Sequence, residues 1–128
     1  MELDLAVLRE VMLKVRAEAS LSSAIATASV QLEGYEDGVV AYHTYLLLES
    51  GHFITHLPSQ PIGVVGNKEW PSAHVYGLSM LGQEKLAALE EDTVFTYMMD
   101  KARSVGQAAV WATLRPLLIQ FVGQLAAP

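Results

Sequence analysis

The chain contains no cysteine, which removes disulfide scaffolds, thiolate nucleophiles and cysteine-rich zinc modules together and fits a reducing compartment. It is also poor in cations. Eight Lys and Arg stand against 14 Asp and Glu, a formal net charge of -6, so the long-range field repels phosphate backbones unless the few cations cluster. No glycine-rich phosphate loop is present, since Gly63 and Gly66 lack the lysine and the strand-to-helix setting such a loop requires, and no serine sits in a nucleophile elbow. These gaps predict a protein that is not an enzyme and holds no cofactor. A membrane span is disfavoured because Arg115, Pro116, Gln120 and Gln124 interrupt the apolar C-terminal stretch. At the other end, Glu2 and Asp4 stand where a secretory leader would carry basic residues, so that end reads as folded protein.

What is present is a chain of 128 residues, 52% apolar and 17% charged, enough to bury one core. Residues 1–128 are expected to form a single domain. Leu5, Leu8, Val11, Met12 and Val15 recur at helical intervals over residues 2–18. Residues 26–32 alternate as a short strand, and residues 36–50 return to helical spacing with Gly51 as the C-cap. Residues 52–57 and 73–78 read as the strands of a hairpin whose long tip, residues 58–72, forms a wing. Residues 81–106 are expected as one long helix, and residues 107–127 as an apolar helix kinked near Pro116 or divided there into two shorter pieces. The expected fold class is α+β and mainly helical. A winged-helix-like core (helix, short strand, helix, β-hairpin wing) spans residues 2–80, with two additional C-terminal helices.

Two stretches carry a resemblance. The first is Tyr42-His43 followed by Leu46-Leu47, Glu49 and Gly51. The second is Leu78-Ser79-Met80-Leu81-Gly82-Gln83-Glu84, continuing through Leu86, Ala88 and Leu89 to Asp92-Thr93-Val94-Phe95. Together they resemble the phage and prophage family catalogued as domain of unknown function 2513, over residues 2–106 and more loosely the tail. The chain departs from that pattern at Met80 and Phe95, where a tryptophan is typical, and at Gln83, where histidine commonly follows the glycine. The resemblance implies a winged-helix-like fold and a phage setting inside a bacterial host, hence a cytoplasmic location; it implies no activity.

In a DNA-reading winged helix the second helix enters the major groove and needs Arg, Lys, Asn or Gln to reach bases and phosphates. Here it offers Glu36, Asp37, His43, Thr44, Glu49 and Ser50 instead. Candidate nucleic-acid contacts are therefore limited to Arg9, Lys14 and Arg16 on the first helix and Lys101 and Arg103 further on, for which solvated helix faces are the better reading. His43, His52, His56 and His74 match no metal-ligand spacing, and packing beside Tyr42 is the plain reading of His43. The run Glu90, Glu91, Asp92 reads as a solvated helix face, because consecutive helical residues point about 100° apart.

The strongest interaction signal is the tail. Val110, Leu114, Leu117, Leu118, Phe121 and Leu125 form one stripe, which Trp111 and Val122 widen beyond what a lone surface helix needs. The candidate surface is Trp111, Leu114, Leu118, Phe121, Val122 and Leu125, with packing on the domain's own core as the competing reading. Two functions follow. The first is a non-catalytic phage-type accessory protein that binds another protein, such as a host defence protein it inhibits, or pairs as a homodimer. The second is a dimeric winged-helix transcriptional regulator.

Overall fold

Helix α1, Leu5–Glu18, shows how the elements are fixed. Asp4 caps it by accepting from the Ala6 amide at 2.9 Å. The Asp4 amide donates to His43 Nε2 at 2.8 Å and the Leu5 amide to Gln107 Oε1 at 2.6 Å, so groups remote in sequence satisfy the backbone at its start. Its apolar face is sealed: Leu5, Val7, Leu8, Val11, Met12 and Val15 are all 1% exposed or less. The computed structural model describes residues 2–55, 64–65 and 72–126.

After α1 come strand β1 (Ile25–Ala26), a 3-10 turn (Thr27–Ser29) and helix α2 (Asp37–Glu49). Gly51, at φ +80°, ends α2 in a conformation that favours glycine. Strands β2 (Phe53–Ile54), β3 (Val64–Val65), β4 (Ser72–Val75) and β5 (Gly77–Leu78) follow. All pairing is antiparallel: β1 and β3 flank β4, with Ile25 opposite Val75 and Val64 opposite Ala73, while β2 lies against β5 with Phe53 opposite Leu78. Helices α3 (Met80–Leu89), α4 (Asp92–Val105), α5 (Gln107–Ala112) and α6 (Leu114–Ala126) complete the chain. The protein is mainly helical with small antiparallel sheets, an α+β fold. Its core gathers the apolar faces of α1, α2, α3 and α4 with Val75, Leu78, Val110 and Leu114.

Three expectations are corrected. The strand over residues 26–32 shortens to Ile25–Ala26, because hydroxyls divert the backbone beyond it: Thr27 Oγ1 accepts from the Ala73 amide at 2.9 Å, and Ser29 Oγ donates to the Ala26 carbonyl at 2.7 Å. The long helix over residues 81–106 is two helices, since Glu91 leaves helical geometry (ψ 132°) and its side chain accepts from the Thr93 and Val94 amides as the N-cap of α4. In the tail the break falls at Thr113 and leaves Pro116 in the first turn of α6, where its missing amide costs nothing. The wing, residues 58–72, lies largely outside the described residues, as does His56; the part described is β3 on β4 and the Ser72 end.

Candidate functional site

The basic candidates do not form a free patch. Arg9 donates to the Glu90 carbonyl at 2.7 Å and to Asp92 Oδ1 at 2.8 Å, with its guanidinium 4.6 Å from the Phe95 ring centre. Arg16 grips both carboxylate oxygens of Glu90, a bidentate pair that raises the arginine's pKa and holds the Glu90 carboxyl below its ordinary value. Lys14 pairs with Glu18, Arg103 with Asp100, and Lys101 lies over Tyr97. The acidic run is thus a corner rather than a helix face. Glu90 and Asp92 take the two arginines of α1, while Glu91 caps α4, its carboxyl held low by the Thr93 and Val94 amides.

The histidines are scattered. His43 is buried and fully bonded: the Asp4 amide can only donate, so Nε2 accepts, and Nδ1 therefore carries the proton that goes to the Val39 carbonyl at 2.8 Å. Tyr42 packs on it edge-on, with ring centres 5.3 Å apart. His74 is exposed on β4. Among the described residues no three His, Asp or Glu side chains gather as a metal site.

The third described histidine, His52, has a different setting. It is 3% exposed, bonds Ser50 Oγ through Nδ1 at 2.8 Å, and stacks on Trp111 at 5.2 Å between ring centres. Lys85 Nζ covers the same indole at 4.7 Å and donates to the Trp111 carbonyl at 2.7 Å. Burial, then the nearby Lys85 charge, pushes the His52 pKa down, and burial likewise lowers that of Lys85. Three elements distant in sequence build this stack, so no local pattern announces it. It ties α5 to α3 and to the end of α2.

The tail candidates divide. Leu114 belongs to the core at 2% exposure, which corrects its placement on a contact surface. Trp111 is partly buried in the stack just described, and Phe121 packs on Tyr97 with ring centres 4.9 Å apart. These residues attach the tail to its own domain. Leu118, Val122 and Leu125 continue the Leu114 stripe at helical spacing, and along it cover runs out: Leu118 is partly buried, Val122 is 55% exposed and Leu125 70%. Ile119, on the adjoining flank, is 65% exposed. Beside this stripe lies a groove of about 450 Å³ between α3 and the α5–α6 joint, lined by Leu81, Glu84, Lys85, Arg115, Pro116 and Leu118 among others. What the site offers chemically is apolar area with Glu84, Lys85 and Arg115 along it, suited to binding a surface.

No family model, curated protein or solved structure matches the chain. Among the described residues, no helix is long and apolar enough to cross a membrane.

Proposed function

We propose that this chain is a small, non-catalytic accessory protein of phage or prophage type that acts in the host cytoplasm by binding another protein, with inhibition of a host defence protein as one form of that action. The observation that carries the binding role is the exposed end of the α6 stripe, Val122 and Leu125 with Ile119 beside them, next to the α3 groove. Contiguous exposed apolar side chains on an otherwise charged surface mark interaction sites. The phage setting rests on the family resemblance of residues 2–106.

Strand order favours a winged-helix-like reading of the N-terminal part. β4 lies between β1 and β3, and β5, which follows it after one residue, pairs with β2, the pairings that a hairpin of residues 52–65 and 72–78 would give. That order also supports the second reading, a dimeric DNA-binding regulator. Against it, Arg9, Arg16, Lys14 and Arg103 already face carboxylates, and the exposed residues leading into α2 include Glu33, Glu36 and Asp37.

Affinity capture of the tagged full chain from a bacterial host, with nuclease treatment, tests the proposal. The expected result is a nuclease-resistant protein partner recovered by wild type and lost in Val122→Glu/Leu125→Glu. Recovery of DNA alone, with duplex binding that weakens steeply as salt rises, would overturn it in favour of the regulator.

A further inference from the structure

We infer that the partner seated on the α3–α6 face is a second copy of this chain, related by a two-fold axis that passes through the groove. The inference rests on α6 being a contact surface, and it adds who makes the contact: the pair, once formed, is what binds a host protein, so losing the pair also loses that capture. Charge selects the occupant. All 14 carboxylates of the chain lie outside residues 107–126, whose one ionisable side chain is Arg115. Two copies of a protein with net charge -6 repel each other over most approaches, and the α6 side of this face adds no carboxylate to that repulsion.

The rim of the groove is self-complementary. Glu84 stands on its α3 side and Arg115 on its α6 side, both are exposed, and among the described residues neither is in an ion pair. A two-fold axis exchanges the two sides, so each copy's glutamate meets the other's arginine, the reciprocal pattern of an isologous interface. The apolar part serves the same geometry. An interface that holds takes about 800 Å² from each partner, more than one helix of about 20 Å offers, so the footprint runs from Leu125 and Val122 across the groove to Leu81 (39% exposed) and Met80 (76%).

Sedimentation velocity on the full chain over a wide concentration range reads this directly. The expected species at high concentration has twice the 13.9 kDa of one chain. Val122→Glu is expected to weaken the dimer by at least about tenfold while leaving the far-ultraviolet circular dichroism unchanged, because a carboxylate would be buried in the apolar part of the contact. Arg115→Glu and Glu84→Arg each place like charges face to face and are expected to weaken it about tenfold, and the double exchange to restore it to within about threefold. A single-chain mass at every concentration overturns the inference, as does a double exchange no tighter than either single one. If the chain stays monomeric while Val122→Glu/Leu125→Glu still loses a captured host protein, the second copy is wrong and the contact surface stands. If those substitutions change neither mass nor capture, both readings fall.

Discussion

Helices α1 and α6 are 14 and 13 residues long, and each carries an apolar stripe, yet the two stripes meet different fates. In α1 the apolar face is closed from Leu5 to Val15. In α6 only Leu114 is closed, and exposure climbs along the stripe to Leu125. Their polar sides explain the contrast. α1 projects Arg9 and Arg16, which reach Glu90 and Asp92 and lash the helix to the α3–α4 corner. α6 has one charge, Arg115, and no described ion pair. It is held by the Tyr97–Phe121 contact and by the α5 joint, where Lys85 and His52 clasp Trp111. An apolar stripe thus states that a helix needs cover without stating who supplies it.

The comparison breaks most readily at α1. Leu8→Ala is expected to cost about 3 kcal/mol in denaturant unfolding, the usual range for emptying a leucine site that cannot collapse. A loss below about 1 kcal/mol would show that α1 is less rigidly enclosed than its 1% exposure implies. Next in size is Gly82→Ala, expected to cost about 2 kcal/mol by overpacking. Its new Cβ would collide with the His52 backbone carbonyl, a close approach made where α3 begins. Because Ser79 caps that helix at Gly82 and donates to the Gly51 carbonyl, the backbone there has little room to yield, and thermal unfolding of the variant checks it.

Much of α1 was legible from spacing alone, since a stripe of Leu5, Leu8, Val11, Met12 and Val15 leaves one sensible face to bury. The break between α3 and α4 was not, because Glu90 and Glu91 are good helix formers and an acidic Asp92 fits a charged helical turn, so Glu91 acts as a cap only where the chain must turn. A cap acting through a carboxylate beside a second acid gives no sequence signal distinct from a charged helical turn. The Thr27 and Ser29 hydroxyls shortened β1 for a similar reason: their bonds to backbone depend on partners the pattern does not specify. In the candidate site, the stripe grouped the exposed Val122 and Leu125 with Leu114, which the structure buries. Position on the stripe is periodic, and depth in the domain is set by where α6 crosses α3.

A smaller effect sharpens the contrast at the clasp that holds the tail. Burial favours neutral His52, so its folded pKa lies below the unfolded value of about 6.5. Above that pH both states are neutral at this residue and its contribution is fully present. As pH falls below it, the unfolded chain takes up a proton that the folded chain refuses, and stability is lost progressively toward the lower folded pKa. Melting temperature is therefore expected to fall as pH drops from about one unit above to about one unit below that value of about 6.5, with a shallower fall in His52→Gln. Equal slopes in the two proteins would remove His52 from the acid response. Trp111 fluorescence, recorded in the same melts, reports whether the stack opens as the fold is lost.

The smallest expected effect on the fold is at Val122. Measured at concentrations low enough to keep chains apart, Val122→Ser should change unfolding free energy by no more than about 0.5 kcal/mol, as exposed positions do. Raising the protein concentration should then separate the two proteins, because anything that binds only the folded state adds stability by mass action. Wild type gains from association through this face, while the serine variant gains less. A loss above about 1 kcal/mol at the lowest concentration would mean that Val122 is covered by its own domain. The unequal closure of α1 and α6 would then disappear, and with it the reason to seek a partner on this helix.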